Sequence, residues 1–125
     1  MLMSLLKKCA LALIVLLAPL TVVGCGSSGG ASIDTNGATI IDVRTASEYA
    51  SGHLQGAVNI DVQSADFGAK IATMPKDGKY IVYCRSGARA STAQSQMKAV
   101  GFTNVTNAGG IDAASTATGL PIVTS

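Results

Sequence analysis

The chain has 125 residues and carries nine Lys and Arg residues against seven Asp and Glu residues. This nearly balanced charge, the lack of a basic run and an aromatic content of only 4% exclude a surface built to bind nucleic acid. Three cysteines, at positions 9, 25 and 84, are too few and too scattered for the disulfide framework of a small exported domain.

The N-terminus has the pattern of a bacterial export signal. Two lysines precede an apolar run over 9–23, which Pro19 interrupts and which is short for a membrane-spanning helix of about 20 residues. The run ends in Val22-Val23-Gly24-Cys25, which resembles a lipobox. We therefore expect 1–24 to be a lipoprotein signal peptide and Cys25 to carry the lipid. An ordinary cleaved signal with an incidental cysteine is the alternative.

The predicted mature protein is a tethered small domain. Residues 25–37 are rich in Gly and Ser and predict a flexible tether, and 38–125 form the folded domain. Loss of Lys7 and Lys8 with the signal leaves seven basic against seven acidic residues, so the domain is close to neutral. We expect a monomer that is anchored to a bacterial membrane and faces the periplasm or the cell exterior.

Strands and helices alternate along the predicted domain. Short β-branched or apolar runs predict strands at 38–43, 57–60, 80–83 and 103–107. Helices are predicted at 45–49, where Thr45 and Glu48 make a capping-box pattern, at 61–74, and from a few residues after Cys84 to about residue 100. The inner face of the third helix is predicted to hold Ala90, Ala93, Met97 and Val100, with Gly101 at its C-terminal cap. This order predicts an α/β fold with a central, mostly parallel sheet flanked by helices.

Cys84 directly follows the buried strand predicted at 80–83, at the sheet edge where parallel α/β proteins bind their ligands. The next five residues combine small side chains with positive charge: Arg85, Ser86, Gly87, Ala88 and Arg89. Small residues let the loop curl and aim its backbone N–H groups inward, where they hold an anion at the helix N-terminus. Because the thiolate is the nucleophilic form of cysteine, we predict that Cys84 is catalytic and that 85–89 bind its anionic substrate. An inert, buried thiol is the alternative.

Six motifs follow one another between residues 40 and 123. They are Ile41-Asp42-Val43-Arg44, Glu48-Tyr49, Gly52-His53-Leu54-Gln55-Gly56-Ala57-Val58-Asn59-Ile60, Tyr83-Cys84-Arg85-Ser86-Gly87-Ala88-Arg89-Ala90-Ser91, Asn107-Ala108-Gly109-Gly110 and Gly119-Leu120-Pro121-Ile122. Together they resemble single-domain rhodaneses, most closely the small periplasmic phage-shock type.

The resemblance implies a sulfurtransferase without a metal or another cofactor. Cys84 would take a sulfane sulfur from a small anionic donor such as thiosulfate, hold it as a persulfide, and pass it to cyanide or a thiol acceptor. A persulfide carrier with little turnover and an inactive structural lipoprotein are the alternatives. A Cdc25-like phosphatase or arsenate reductase fits less well, because its loop reads C-x5-R, whereas Cys84 and Arg89 give C-x4-R.

Asp42 and Arg44 end the first strand at the same sheet edge as Cys84. We expect them to give structural support through an ion pair or a loop anchor, for instance Asp42 with Arg89, in preference to a role of Arg44 at the pocket rim. Glu48 is expected to serve as a helix cap.

Two further residues have structural predictions. His53, the single histidine, is expected to make a structural hydrogen bond and not to act as a base, because a base must first lie within reach of its proton. Tyr83 is expected to pack in the sheet.

The C-terminal part departs from the rhodanese pattern. Residues 107–110 are expected to form a turn near the active-site edge. After them, 111–118 lack the aromatic anchor that is common in the family, and we expect this segment to pack loosely.

Overall fold

The computed structural model describes residues 31–124. The predicted signal peptide at 1–24 and the predicted lipidation at Cys25 lie outside these residues. Between residues 31 and 124, no helix combines the length and the apolar character that crossing a membrane requires.

Strands and helices alternate as predicted, except that two short strands follow the first helix directly. In chain order they are β1 (Ala38–Asp42), α1 (Ala46–Ser51), β2 (His53–Leu54), β3 (Val58–Asn59), α2 (Phe67–Ala72), β4 (Lys79–Cys84), α3 (Ala88–Ala99), β5 (Asn104–Gly110), α4 (Ile111–Thr118) and β6 (Ile122–Val123). A parallel sheet has the order β3-β1-β4-β5, and β2 and β6 form a separate antiparallel pair. The predicted α/β fold with a central parallel sheet is confirmed.

The central strand β4 is buried on both faces, because its side chains alternate between two cores. Tyr80, Val82 and Cys84 belong to the core that also holds buried residues of α2 and α3. Ile81 and Tyr83 belong to the core on the other face, together with Leu54, Ala114 and the partly buried Tyr49. The sheet is therefore covered by helices on both sides, and Cys84 points toward the α3 side.

The second helix is shorter than the predicted 61–74, because α2 covers only Phe67–Ala72. The Oδ1 atom of Asp61 accepts the N–H of Gln63 at 2.8 Å, and its carbonyl accepts the N–H of Ser64 at 3.1 Å. These local bonds offer the backbone an alternative to the helix. The start of the predicted helix was wrong for this reason.

The third helix follows its prediction at all but one position. Ala90, Ala93 and Met97 are fully buried, whereas Val100 is 48% exposed and was wrongly assigned to the core. Val100 is the residue that caps the helix, and Gly101 follows it with φ of 102°. The helix therefore ends at Ala99, before Val100 could join the buried face that the sequence predicted.

Two C-terminal expectations were wrong. Residues 107–110 continue β5 and form no turn, and 111–118 form a regular helix whose Ala114 is fully buried. The hydroxyl of Ser115 donates to the carbonyl of Leu120 at 2.6 Å and fixes the end of α4. The small, buried side chain of Ala114 lets α4 approach the sheet without an aromatic anchor.

Contacts also extend into the segment before β1. The N–H of Ile33 donates to the carbonyl of Ala117 at 2.8 Å, and the side chain of Ile33 packs against the core on the α4 side. Regular structure begins at Ala38, but the last residues of the predicted tether are held against α4.

The strand order creates a crevice between β1 and β4. From β1 the chain continues to β3 on one side of the sheet centre, and from β4 it continues to β5 on the other side. Ligands of open parallel α/β sheets bind beyond the carboxyl ends of the strands at such a switch point. Asp42 ends β1 and Cys84 ends β4, so both lie at this position.

Candidate active site

Cys84 is fully buried at the end of β4, and its Sγ atom accepts the backbone N–H of Gly87 at 2.8 Å. α3 begins at Ala88, so the loop returns the chain to the sulfur at the positive end of a helix of 12 residues. Gly87 has φ of 97°, which favours glycine because a Cβ atom is strained in this conformation. The loop thus aims one backbone donor directly at the sulfur.

The Asn107 to Gly110 motif braces the loop from β5. The side-chain amide of Asn107 donates to the carbonyl of Gly87 at 3.3 Å and accepts the N–H of Gly109 at 2.8 Å. A Cβ atom on Gly110 would lie 2.6 Å from the carbonyl oxygen of Arg85, which is closer than real Cβ contacts come. Only glycine lets the loop rest on β5 here. The sequence showed the motif but not this role, because the contact depends on the pairing of β4 with β5.

Arg89 is held by Glu48 and not by Asp42. Its two terminal nitrogens donate to the two carboxylate oxygens of Glu48 at 2.7 and 2.9 Å. The hydrogen bonds from Arg89 lower the pKa of Glu48 from 4.5 to about 2, and the same bonds raise the pKa of Arg89. Glu48 also completes the predicted capping box with Thr45. The example of an Asp42–Arg89 ion pair was therefore wrong, and Arg89 ties the cysteine loop to α1.

Asp42 pairs with Arg44 inside the protein, as the predicted structural role requires. The Nη2 atom of Arg44 lies 2.6 Å from Oδ2 of Asp42, and both residues are buried. The hydroxyl of Tyr83 donates to Asp42 at 2.9 Å and accepts the N–H of Leu54 at 2.9 Å. Burial raises the pKa of Tyr83, so the hydroxyl stays protonated and keeps this donor role. Tyr83 packs within the sheet, as predicted.

His53 makes the predicted structural hydrogen bond. Its Nδ1 atom donates to the carbonyl of Tyr49 at 2.8 Å, and the two rings stack with centroids 3.8 Å apart. The residue is only 7% exposed. It is thus part of the packing between α1 and β2.

An open cleft of about 410 Å³ lies beside the cysteine loop. Its lining residues come from three parts of the chain: Arg44, Glu48, Ser51, Arg85, Ile111 and Asp112. Arg44 thus reaches the cleft while it remains paired with Asp42. Of the other predicted substrate-binding residues, Ser86 and Ala88 are exposed at the loop surface. In the described part of the chain, no three His, Cys, Asp or Glu side chains are placed to hold a metal ion.

A buried cysteine at the end of a central parallel strand, followed by a tight loop and a helix N-terminus, defines a class of cysteine-loop α/β proteins. Within this class, the chain belongs to the rhodanese-like domain family, whose model matches residues 30–117.

Named relatives and a solved structure agree with this family. The chain is 35% identical over 71 residues to the Escherichia coli protein called thiosulfate sulfurtransferase PspE, a stretch that covers 57% of this chain and 68% of the relative. A protein of Allochromatium vinosum called sulfurtransferase is 33% identical over 90 residues, which cover 72% of this chain and 82% of the relative. A structure described as a rhodanese with anions from E. coli matches with a TM-score of 0.60 and 31% identity, over 70% of this chain and 99% of that one. The family and these names support sulfurtransferase activity in general.

Proposed function

We propose that the protein is a thiosulfate sulfurtransferase that carries sulfane sulfur on Cys84. The observation that carries the proposal is the 2.8 Å contact between the Gly87 N–H and the Cys84 sulfur, at the start of α3. A fixed backbone donor and a helix N-terminus stabilise negative charge on a thiolate and on the persulfide that replaces it. Arg85, next to Cys84 and exposed, adds a cation at the mouth of the site.

In the proposed first half-reaction, the Cys84 thiolate attacks the outer sulfur of thiosulfate. A bond forms between the two sulfur atoms, the sulfur–sulfur bond of thiosulfate breaks, and sulfite leaves with the electron pair of that bond. In the second half-reaction, cyanide or a thiolate attacks the outer sulfur of the persulfide, and the Cys84 thiolate is regenerated. This is nucleophilic catalysis supported by preorganised electrostatics, and the chain needs no general base if the thiolate is already present.

The length of the cysteine loop supports sulfur transfer over phosphatase or arsenate reductase chemistry. Cys84 and Arg89 give C-x4-R, one residue shorter than the C-x5-R loop of those enzymes, and Arg89 is tied to Glu48 by two hydrogen bonds. Hydrolysis of p-nitrophenyl phosphate by the wild type, lost in Cys84→Ser, would count against this interpretation.

The test is the formation of thiocyanate from thiosulfate and cyanide by the purified full-length chain. We expect turnover in the wild type and a loss of at least about 1,000-fold in Cys84→Ser, because a weakly acidic hydroxyl replaces the nucleophilic thiol. Peptide mass mapping after incubation with thiosulfate alone should find one extra sulfur atom on Cys84. The extra sulfur without turnover would instead identify a persulfide carrier. Turnover that survives in Cys84→Ser would rule the mechanism out.

We also propose that Cys25 is lipidated and holds the protein on a bacterial membrane, facing the periplasm or the cell exterior. The support is the sequence alone: an export signal that ends in Val-Val-Gly-Cys, followed by a stretch rich in Gly and Ser. Metabolic labelling with an alkyne fatty acid should mark the wild type and fail to mark Cys25→Ala. Equal labelling of both proteins would contradict the proposal.

A further inference from the structure

The cleft beside the cysteine loop is lined by one residue of the loop, by the start of α4 and by three residues between positions 44 and 51. Arg85 lies next to Cys84, and Asp112 lies in the first turn of α4, two residues after Gly110. Gly110 pairs with Cys84 in the sheet and rests on the carbonyl of Arg85. The close packing of Gly110 therefore holds the backbone that carries Asp112 near the backbone that carries Arg85.

Four charged side chains line the cleft, but two of them are neutralised by neighbours. Arg44 is paired with Asp42 at 2.6 Å, and Glu48 is paired with Arg89 at 2.7 Å. Arg85 and Asp112 form no ion pair with any residue between 31 and 124, and both are exposed. The cleft thus offers a ligand one uncompensated positive group and one uncompensated negative group, with Ile111 as an apolar lining residue next to Asp112.

We propose that Arg85 and Asp112 select the sulfur acceptor, and that the preferred acceptor is a small zwitterionic thiol of the cysteine type. Its carboxylate would face Arg85 and its ammonium group would face Asp112, while its sulfur approaches the outer sulfur of the persulfide. Cys84 itself is buried and does not line the cleft, and Arg85 is the residue of the cysteine loop that does. This inference rests on the proposed function. A cleft of about 410 Å³ lies within the usual range for small-molecule sites and has ample room for such a ligand.

The transfer step balances without a further reactant. The acceptor thiolate attacks the outer sulfur of the Cys84 persulfide, a new bond joins the acceptor sulfur to that atom, and the bond to Sγ breaks. Its electron pair returns to Cys84 as the thiolate, and the proton that the acceptor thiol lost on forming its thiolate passes to the transferred sulfur, which enters the step as an anion. The product is the persulfide of the acceptor. Asp112 takes no part in these bonds and acts only on the charge of the incoming thiol.

The experiment compares four thiol acceptors with the persulfide-loaded full-length chain. They are cysteamine, which carries an ammonium group, 3-mercaptopropionate, which carries a carboxylate, uncharged 2-mercaptoethanol, and cysteine. For each thiol, the rate constant of Asp112→Asn is divided by that of the wild type, so that the intrinsic reactivity of the thiol cancels. Asp112→Glu keeps the charge, and Asp77→Asn makes the same change in an exposed turn before β4. Circular dichroism checks that all variants are folded.

We expect the second-order rate constant of sulfur transfer from Asp112→Asn to fall about threefold for cysteamine and for cysteine, and to rise about twofold for 3-mercaptopropionate, because a single exposed charge contributes little. The value for 2-mercaptoethanol should be unchanged, and Asp112→Glu and Asp77→Asn should keep the wild-type order of acceptors. High salt should reduce the differences.

Equal ratios for all four thiols, or the same pattern in Asp77→Asn, would overturn the assignment. The thiocyanate assay of the wild type separates this failure from a failure of the proposed function. Activity with cyanide but with none of the thiols refutes the acceptor class alone. Inactivity with cyanide and with every thiol removes the proposed function and the inference together.

Discussion

At the scale of single residues, the carboxylate of Glu48 serves two elements at once. It accepts the N–H and hydroxyl of Thr45 in the cap of α1, and it holds both terminal nitrogens of Arg89 at the start of α3. A bidentate pair of an arginine and a carboxylate fixes orientation as well as distance. Glu48 therefore couples the position of α1 to the position of the cysteine loop.

We expect Glu48→Gln to lower the free energy of unfolding by about 1 kcal/mol at pH 7, a value reduced by the partial exposure of the pair. Because the pKa of Glu48 is lowered from 4.5 to about 2 in the folded state, its contribution is present above pH 4.5 and is lost as the pH falls toward 2. Urea unfolding from pH 7 to pH 2.5 measures this difference. The variant and the wild type should converge at low pH, and a constant difference, or the same loss in Asp77→Asn, would contradict the explanation.

The sequence predicted which residues near Cys84 are charged but not how they pair. The sequence suggested an ion pair between Asp42 and Arg89, whereas in the fold Asp42 pairs with Arg44, two residues along the chain. Arg44 lies just beyond β1, and its guanidinium folds back onto the carboxylate of Asp42 and donates to the carbonyl of Gly52, which residue spacing does not reveal. The partner of Arg89 depends on how α1 docks on the sheet, and this geometry is set by tertiary packing.

The contact between Gly110 and the loop gives a second residue-scale prediction. In Gly110→Ala, the new Cβ would meet the carbonyl of Arg85 at 2.6 Å, so the loop must shift. We expect sulfur transfer to fall by about 10- to 100-fold, since small misplacements of a nucleophile are costly.

The matched control is Gly68→Ala in α2, where a Cβ atom would meet nothing within 4 Å. It should retain full activity and gain up to about 1 kcal/mol in stability, because alanine favours the helix. Wild-type activity in Gly110→Ala, or an equal loss in Gly68→Ala, would show that the close approach does not control the loop.

At the scale of elements, the pairing of β2 with β6 is the feature that local sequence predicts least. Each strand has two residues, and His53 pairs with Val123 from the far end of the chain. Such short runs carry no periodicity, and their partner is set by the fold. By contrast, β1, β4 and α3 were found almost to the residue, because buried runs and helical spacing are strong local signals.

The packing of α4 can be tested with two neighbouring alanines. Ala114 is fully buried against the sheet, whereas Ala113 is exposed. We expect Ala114→Leu to lower the free energy of unfolding by about 1–3 kcal/mol, because the larger side chain has no space there. Ala113→Leu should change it by less than about 0.5 kcal/mol. Denaturant unfolding measures both, and equal effects would revive the expectation of a loosely packed segment.

At the scale of the whole molecule, the strand order β3-β1-β4-β5 makes the same two strands, β1 and β4, form both the active-site crevice and the centre of the hydrophobic core. β1 and β4 lie side by side at the centre of the sheet, and the chain leaves them in opposite directions. The same two strands bring Asp42 and Cys84 to the crevice and send side chains into both cores. The sequence predicted this convergence through the order of its elements, whereas the cleft and its uncompensated charges required the three-dimensional contacts.

Because both cores share the central strands, we expect the domain to unfold in one cooperative step. Ile41 contributes to the core on the α3 side and Ile81 to the core on the α4 side, and both are buried. Ile41→Ala and Ile81→Ala should each cost about 2–5 kcal/mol, a large part of the 5–15 kcal/mol typical of a small domain. Ile122→Ala, at a site that is 44% exposed, should cost less than about 1 kcal/mol.

The measurement follows far-UV circular dichroism and tyrosine fluorescence through the same urea transition. Tyr80 reports on one core, and Tyr83 and Tyr49 report on the other. In a two-state transition the two signals coincide in the wild type and in each variant. If Ile81→Ala instead separated the fluorescence change from the loss of secondary structure, the two faces of the sheet would unfold independently.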